Sequence, residues 1–202
     1  MKLHWTPRSP FVRKVMIVAH ERDLAERITC VRTAAALTQP HAELMKDNPL
    51  SKIPTLVLDD GQVLYDSAVI CEYLDALDGA PKLFPQHCAA RFTTLRRQAL
   101  GDGFLDILVF ARNERDRAEP SALHLESVFT RRTATLESLE REAEALAATP
   151  FDIGHIAIGC ALSYIDFRFP TDDWRKGHPR LTQWHASFAA RPSARATHPA
   201  DF

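Results

Sequence analysis

The chain has 202 residues, with 25 Lys and Arg against 26 Asp and Glu and a formal net charge of −1. Such a balance gives no electrostatic footing for nucleic acid or an anionic membrane surface. At 46% hydrophobic and 25% charged residues, the composition is that of a packed globular protein of one large domain or two small ones, not a disordered chain.

In chain order, Lys2–Trp5 is the first strand candidate, with Leu3 and Trp5 in alternation. Ser9-Pro10 then opens a helix: a hydroxyl at the N-cap and a proline at the first helical position, where its missing N–H costs nothing. Val12, Val15, Met16 and Ala19 follow at helical spacing, while Arg13 and Lys14 lie off that stripe. Ile28–Val31 reads as a second strand, and Glu43–Lys46 as a short helix or irregular turn. Thr55–Leu58 and Val63–Tyr65 form a hairpin around Asp60-Gly61. Asp66-Ser67 starts another helix, carried by Val69, Ile70, Tyr73, Leu74 and Leu77. Residues 1–78 therefore read as a small α/β domain in the order βαβ, connector, ββα.

Residues 79–85, Gly-Ala-Pro-Lys-Leu-Phe-Pro, break the pattern as a linker. Residues 86–202 show no strand-like alternation and read as an all-helical domain. One helix is expected over Cys88–Arg117, with Gly101 and Gly103 as points where it could bend. A second is expected over Leu123–Leu146, with Leu125, Val128, Phe129, Leu136 and Leu139 on a stripe. Phe151–Phe169 is apolar nearly all round and belongs at the centre, and Arg180–Ala190 is a shorter amphipathic helix before a proline-punctuated tail.

The longest apolar run, Ile153–Ile165, is shorter than the ~20 residues a spanning helix needs. Met1–Arg8 lacks the apolar core of a signal peptide. Cys30, Cys71, Cys88 and Cys160 form no C-x-x-C pair, which fits buried thiols in a reducing cytoplasm; Cys30 and Cys71 read as strand and helix core residues. No G-x-S-x-G, H-E-x-x-H or P-loop is present, and Gly101-Asp102-Gly103 does not complete a dinucleotide fingerprint. The nine histidines show no metal-ligand spacing, so no metal is expected, and His155 reads as a hydrogen-bonded core group.

Three features of the first domain can hold a peptide-like anion. Ser9 lies where a strand feeds a helix N-terminus; alone, it reads as an ordinary cap. Ile53-Pro54 precedes a strand, and a cis bond there would expose the Ile53 main chain to an extended ligand. Asp66-Ser67 begins a helix whose N–H groups suit a carboxylate; alone, it too is an ordinary cap. Taken with their order and spacing, Ser9–Val15, Asn48–Leu56 and Asp66–Leu74 resemble the cytosolic glutathione S-transferase family from end to end. In the second domain, Thr149-Pro150-Phe151-Asp152-Ile153 resembles that family's helix-capping box, with Pro150 at the first helical position, and Ala161–Arg168 looks like its bacterial YibF-like branch.

The resemblance implies a thioredoxin-like first domain and a helical second domain that walls an electrophile site. It implies that Pro54 is a cis-proline, that the Ile53 main chain pairs with the cysteinyl unit of glutathione, and that Asp66 and Ser67 bind the γ-glutamyl end. Lys52 then lies near the peptide backbone or the glycyl carboxylate. Ser9 falls where serine-type members stabilise the thiolate, with Thr6 a second hydroxyl in the same loop. Asp66 is one methylene shorter than the Glu or Gln often found at its position. A homodimer is implied as well, and Asp102 could reach a neighbouring subunit's glutathione. Phe104, Leu108 and Arg112 share a helix face toward the acceptor site or the core.

The chemistry so implied is small. A thiol of pKa ~8.5 is only about 3% thiolate at pH 7, and a drop of roughly two units needs about 2.7 kcal/mol. One hydroxyl donor at about 1.5–3 kcal/mol and a helix N-terminus at about 0.3–1 kcal/mol can supply it. Serine, unlike the cysteine of related C-P-F motifs, forms no stable mixed disulfide. Conjugation of glutathione to a small electrophile is therefore the leading expectation. The rivals are a binding or regulatory module without turnover, like the stringent-starvation proteins, and a glutathione-dependent peroxide or disulfide reductase.

Overall fold

A computed structural model describes residues 1–79 and 82–201. Two compact units form: residues 1–91 together with the chain from Pro192 onward, and residues Phe92–Arg191. The first unit thus extends past the 79–85 stretch and takes in the carboxyl-terminal tail. Ala80 and Pro81 of the expected linker lie outside the described residues.

In the first unit, β1 (Lys2–Trp5), β2 (Thr29–Arg32), β3 (Thr55–Val57) and β4 (Val63–Leu64) form a sheet in the order β2-β1-β3-β4. β1 runs parallel to β2 and antiparallel to β3, and β3 is antiparallel to β4. The βαβ-ββα order read from the sequence is the order observed. α1 (Pro10–Glu21) packs against α3 (Ser67–Ala76), burying Val12, Val15, Val18, Ile70 and Leu74 together with Leu3 and Leu56 of the sheet. α2 (Ala42–Asp47) is a short helix linked to β1: His4 lies 2.9 Å from Thr33 Oγ1 and 2.7 Å from Asp47 Oδ2, which also accepts from Lys2 at 2.8 Å.

The hairpin turn closes as expected, with Gly61 at φ +87° and Asp60 accepting from the Gln62 amide at 2.9 Å. Side-chain burial departs from the sequence reading at several points. Cys30 is exposed, because β2 is the sheet's edge and all four of its residues are open to solvent; Cys71 is buried as expected. Val69 is 48% exposed, since only one face of α3 meets α1. Arg13 and Lys14 are buried despite lying off the stripe. Arg13 donates to the Ala194 carbonyl of α8 (Pro192–Ala196) at 3.2 Å, and the Lys14 ammonium sits 6.0 Å over the Phe11 ring. α8 itself arises in what reads as an irregular tail.

Asp75, fully buried on α3, accepts from the backbone amides of Lys82, Leu83 and Phe84 at 2.9–3.1 Å, with Arg22 Nε at 3.4 Å. One carboxylate thereby binds the segment after α3 to the α/β unit.

The second unit comprises α4 (Cys88–Arg115, from Phe92 onward), α5 (Ala122–Ala148), α6 (Ile153–Arg168) and α7 (Pro179–Ala189). α4 is continuous through Gly101, whose place is explained by contact: a Cβ there would stand 2.6 Å from the Ala157 carbonyl carbon, so glycine lets α4 and α6 touch backbone to backbone. α6 is buried from Ile153 to Ile165, as its apolar run predicts. Its N-cap is Asp152, not Thr149, and Pro150 stands before the helix. Asp152 Oδ1 accepts from the His155 amide at 3.0 Å while His155 Nδ1 reaches back to the Asp152 amide, a reciprocal cap with histidine in the usual Glu position. Thr149 instead ends α5, where Arg97 donates to its hydroxyl at 2.9 Å. His155 is a satisfied core group, as expected, with Nε2 at 2.9 Å from the Leu146 carbonyl. Phe129 is 60% exposed rather than part of the α5 core stripe, and Arg132 covers its ring at 5.4 Å.

Candidate functional site

The sheet register decides which loops meet. His4 pairs with Thr55, so the carboxyl end of β1 lies beside the start of β3. Leu56 pairs with Leu64, so the start of β3 lies beside the end of β4. The turn into α1, the loop before β3 and the turn into α3 therefore share one end of the sheet, and both helices present their N-termini there. Ser9, Lys52–Pro54 and Asp66–Ser67, far apart in sequence, are carried to that single edge.

At the first turn, Ser9 caps α1: its Oγ accepts from the Val12 amide at 3.3 Å, and Pro10 occupies the first helical position. The hydroxyl acts there as acceptor, so its own proton is available to a further acceptor. No acidic residue stands in the first turn of α1, so the positive end of the helix dipole is not neutralised locally. Thr6 is held in the same turn, its carbonyl accepting from the Ser9 amide at 3.3 Å.

In the second loop, the Ile53–Pro54 bond is cis. Asn48 organises the segment and is 1% exposed. It donates to the Lys52 carbonyl at 3.1 Å and to Thr55 Oγ1 at 2.9 Å, and accepts from the Leu50 amide at 3.0 Å. Thr55 Oγ1 in turn donates to the Lys52 carbonyl at 2.8 Å. Ser51 adopts φ +50° and accepts from the His41 amide at 2.9 Å. Lys52 is exposed, Ile53 half-buried and Pro54 buried.

His41 caps α2, its Nδ1 accepting from the Leu44 amide at 3.1 Å. That bond fixes the neutral tautomer with the proton on Nε2. Asn48, Ser51 and His41 carry no signal in the residue-by-residue reading beyond the Asn-Pro turn dipeptide. Their roles come from hydrogen bonds across two to ten residues, which periodicity does not register.

At the third turn, Asp66 caps α3, with Oδ1 accepting from the Ala68 amide at 2.9 Å. Its carboxylate is exposed, while Ser67, the first helical residue, is 3% exposed. The Tyr65–Asp66 bond is also cis. The edge thus combines the exposed Lys52 ammonium, the exposed Asp66 carboxylate, two helix N-termini and a stretch of main chain ahead of β3: groups suited to a zwitterionic, extended peptide carrying carboxylates at both ends. Among the described residues no cluster of His, Cys, Asp or Glu could hold a metal ion, and no helix is long and apolar enough to cross a membrane.

Comparison with known proteins identifies the family. Residues 8–77 match the glutathione S-transferase N-terminal domain and residues 116–187 the C-terminal domain. The chain is 28% identical to the uncharacterized GST-like protein YibF of Escherichia coli over 98% of both chains. It superposes with a TM-score of 0.94 on a glutathione transferase family member from Pseudomonas fluorescens with bound glutathione, at 41% identity and 99% coverage of each chain. A glutathione S-transferase of Methylobacillus flagellatus, also with glutathione bound, gives a TM-score of 0.87 at 34% identity, covering 98% of this chain and 99% of that one. With both domains matched in order and the glutathione-bound relatives spanning its whole length, the chain belongs to the glutathione S-transferase family.

Proposed function

We propose that the protein binds glutathione at this sheet edge and joins its sulfur to a small electrophilic carbon. The observation that carries the reading is the register that brings Ser9, Lys52–Pro54 and Asp66–Ser67 to one end of the sheet. In it, the Ile53 main chain pairs with the cysteinyl unit. Asp66 takes the γ-glutamyl ammonium, Ser67 and the α3 amides take its carboxylate, and Lys52 with His41 Nε2 holds the glycyl carboxylate. Ser9, its oxygen already accepting from Val12, donates its proton to the thiolate; the α1 N-terminus supplies the rest of the field.

A second structure of the Pseudomonas fluorescens relative, 40% identical with a TM-score of 0.90, holds S-(propanoic acid)-glutathione. A thioether of glutathione is the product type of C–S bond formation. That favours conjugation over a module without turnover, and over reduction of a peroxide or disulfide. A cytoplasmic homodimer belongs to the same reading, supported by the family's habit. Calorimetry with glutathione and turnover of a chloronitrobenzene acceptor test it together. Binding with turnover supports the transferase, whereas absence of millimolar-or-better binding overturns it and favours the module.

Ser9→Ala is the sharper probe. Loss of a hydrogen bond to a charged acceptor is about 1.5–3 kcal/mol, so bound thiolate should titrate one to two units higher. Turnover at pH 6.5 should then fall roughly 10- to 150-fold while glutathione affinity changes little. Full activity in Ser9→Ala would move the thiolate contact to Thr6 or to backbone amides.

A further inference from the structure

The stretch from Thr33 to Asp47, between β2 and the loop ahead of Pro54, is joined to β1 at both of its ends by one side chain. His4 Nδ1 lies 2.9 Å from Thr33 Oγ1, and its Nε2 lies 2.7 Å from Asp47 Oδ2. Both His4 and Thr33 are buried. Thr33 Oγ1 donates to the Val31 carbonyl at 3.1 Å, so it turns lone pairs toward the ring. Asp47 is kept as an acceptor: hydrogen bonds from Lys2, at 2.8 Å, and then from His4 lower its carboxyl pKa.

Little else fixes that stretch. Among residues 34–46, all of them described, only Leu44 is buried. A segment with so few buried side chains opens locally at small cost, so the polar links at its ends set where its middle stands. The middle carries His41, whose Nε2 holds the glycyl carboxylate in the proposed complex. A further link, Ser51 accepting from the His41 amide, comes from the loop that Asn48 clamps, and Asn48 directly follows Asp47.

We propose that His4 is a positioning residue for the glycyl end of glutathione. By joining Thr33 to Asp47 it holds α2 and His41 against the tripeptide, and so sets the preference for glutathione over γ-glutamylcysteine. The proposal rests on the glutathione reading of the sheet edge and adds a selectivity to it. Placement errors of about 1 Å, caused far from the ligand, are enough to weaken such a contact.

Calorimetry on the full-length protein compares glutathione with γ-glutamylcysteine, the same peptide without its glycine. Wild type should bind glutathione about tenfold tighter or more, the scale of one hydrogen bond to a charged group. His4→Phe keeps a ring and removes both polar links. It should weaken glutathione about tenfold and γ-glutamylcysteine by roughly twofold or less, whereas a purely structural loss would weaken the two alike. His41→Asn, whose amide can cap α2 in place of the imidazole, should show the same selective loss. Adding His4→Phe to it should then cost nothing more. Should His4→Phe fail to fold, Asp47→Ala carries the test from the half-buried side of the link, with the same selective loss expected.

Equal weakening of the two peptides, undiminished glutathione binding, or additive losses in the double variant overturns the proposal while glutathione binding by wild type stands. Wild type that binds both peptides alike overturns it too and leaves the glutathione reading intact. Wild type that binds neither peptide overturns that reading, and the proposal with it.

Discussion

Asn48 Nδ2 donates to Thr55 Oγ1 at 2.9 Å, and both side chains converge on the Lys52 carbonyl, so the loop ahead of Pro54 is clamped from both of its ends. Both residues are buried. Removing the amide leaves the Leu50 amide without its acceptor and the Lys52 carbonyl with one donor fewer. Asn48→Ala should cost about 1–3 kcal/mol and loosen the Ile53 main chain. The measurements are denaturant unfolding and glutathione affinity. A stable variant with unchanged affinity would mean that the clamp does not organise the loop.

Asp66 offers a separation of structure from binding. Its Oδ1 caps α3 through Ala68, a task asparagine performs equally well. Asp66→Asn should therefore leave the melting temperature nearly unchanged while weakening glutathione roughly 10-fold or more, the scale of a charge-assisted hydrogen bond of about 1.5–3 kcal/mol. Tripeptide lacking the γ-glutamyl ammonium should bind wild type and variant alike. Equal glutathione affinity in the two proteins would remove Asp66 from the binding set.

What the sequence makes legible follows from locality. Ser9, Asp66 and the Asp60-Gly61 turn act through hydrogen bonds to residues two or three positions away, so their types announce them. Exposure does not work that way. Whether Cys30 is core or surface depends on β2 being the edge strand, a property of the sheet order and not of the strand. Val69 and Phe129 sit at helical spacing with buried residues, yet each helix buries a narrower arc than its apolar stripe. Thr149 and Asp152 both suit a cap, and the choice between them is made by Thr94 and Arg97, over 50 residues earlier, each claiming one of the pair. The family resemblance named the sheet-edge residues, whereas Asn48, Ser51 and His41 had to be read from their contacts.

The Asp152 cap makes acid stability predictable in sign. Burial raises its carboxyl pKa, but hydrogen bonds from His155 and Thr94 outweigh that, and the net displacement is downward. A carboxyl with a lower pKa folded than unfolded adds stability that is fully present above the unfolded value, about 4. That contribution drains away as pH falls through the folded value. Asp152→Asn should lower stability at neutral pH by about 1–3 kcal/mol and flatten its decline below about pH 4. Urea unfolding at a series of pH values checks this; parallel wild-type and variant curves would contradict it.

Gly101→Ala sets two effects of opposite sign against each other. Alanine is about 1 kcal/mol better than glycine inside a helix, and α4 is continuous here, so propensity alone predicts stabilisation. The added Cβ, however, would stand 2.6 Å from the Ala157 carbonyl carbon and 2.7 Å from the Ile158 nitrogen. Those are backbone atoms of α6, buried along its length, and they have no rotamer by which to yield. Forcing the helices apart costs about 1–3 kcal/mol or more, enough to reverse the propensity gain. Gly103, where an added Cβ would meet nothing within 4 Å, supplies the control: Gly103→Ala should raise the melting temperature while Gly101→Ala lowers it. If both substitutions stabilise, the close approach of α4 and α6 at Gly101 is not a constraint on the fold.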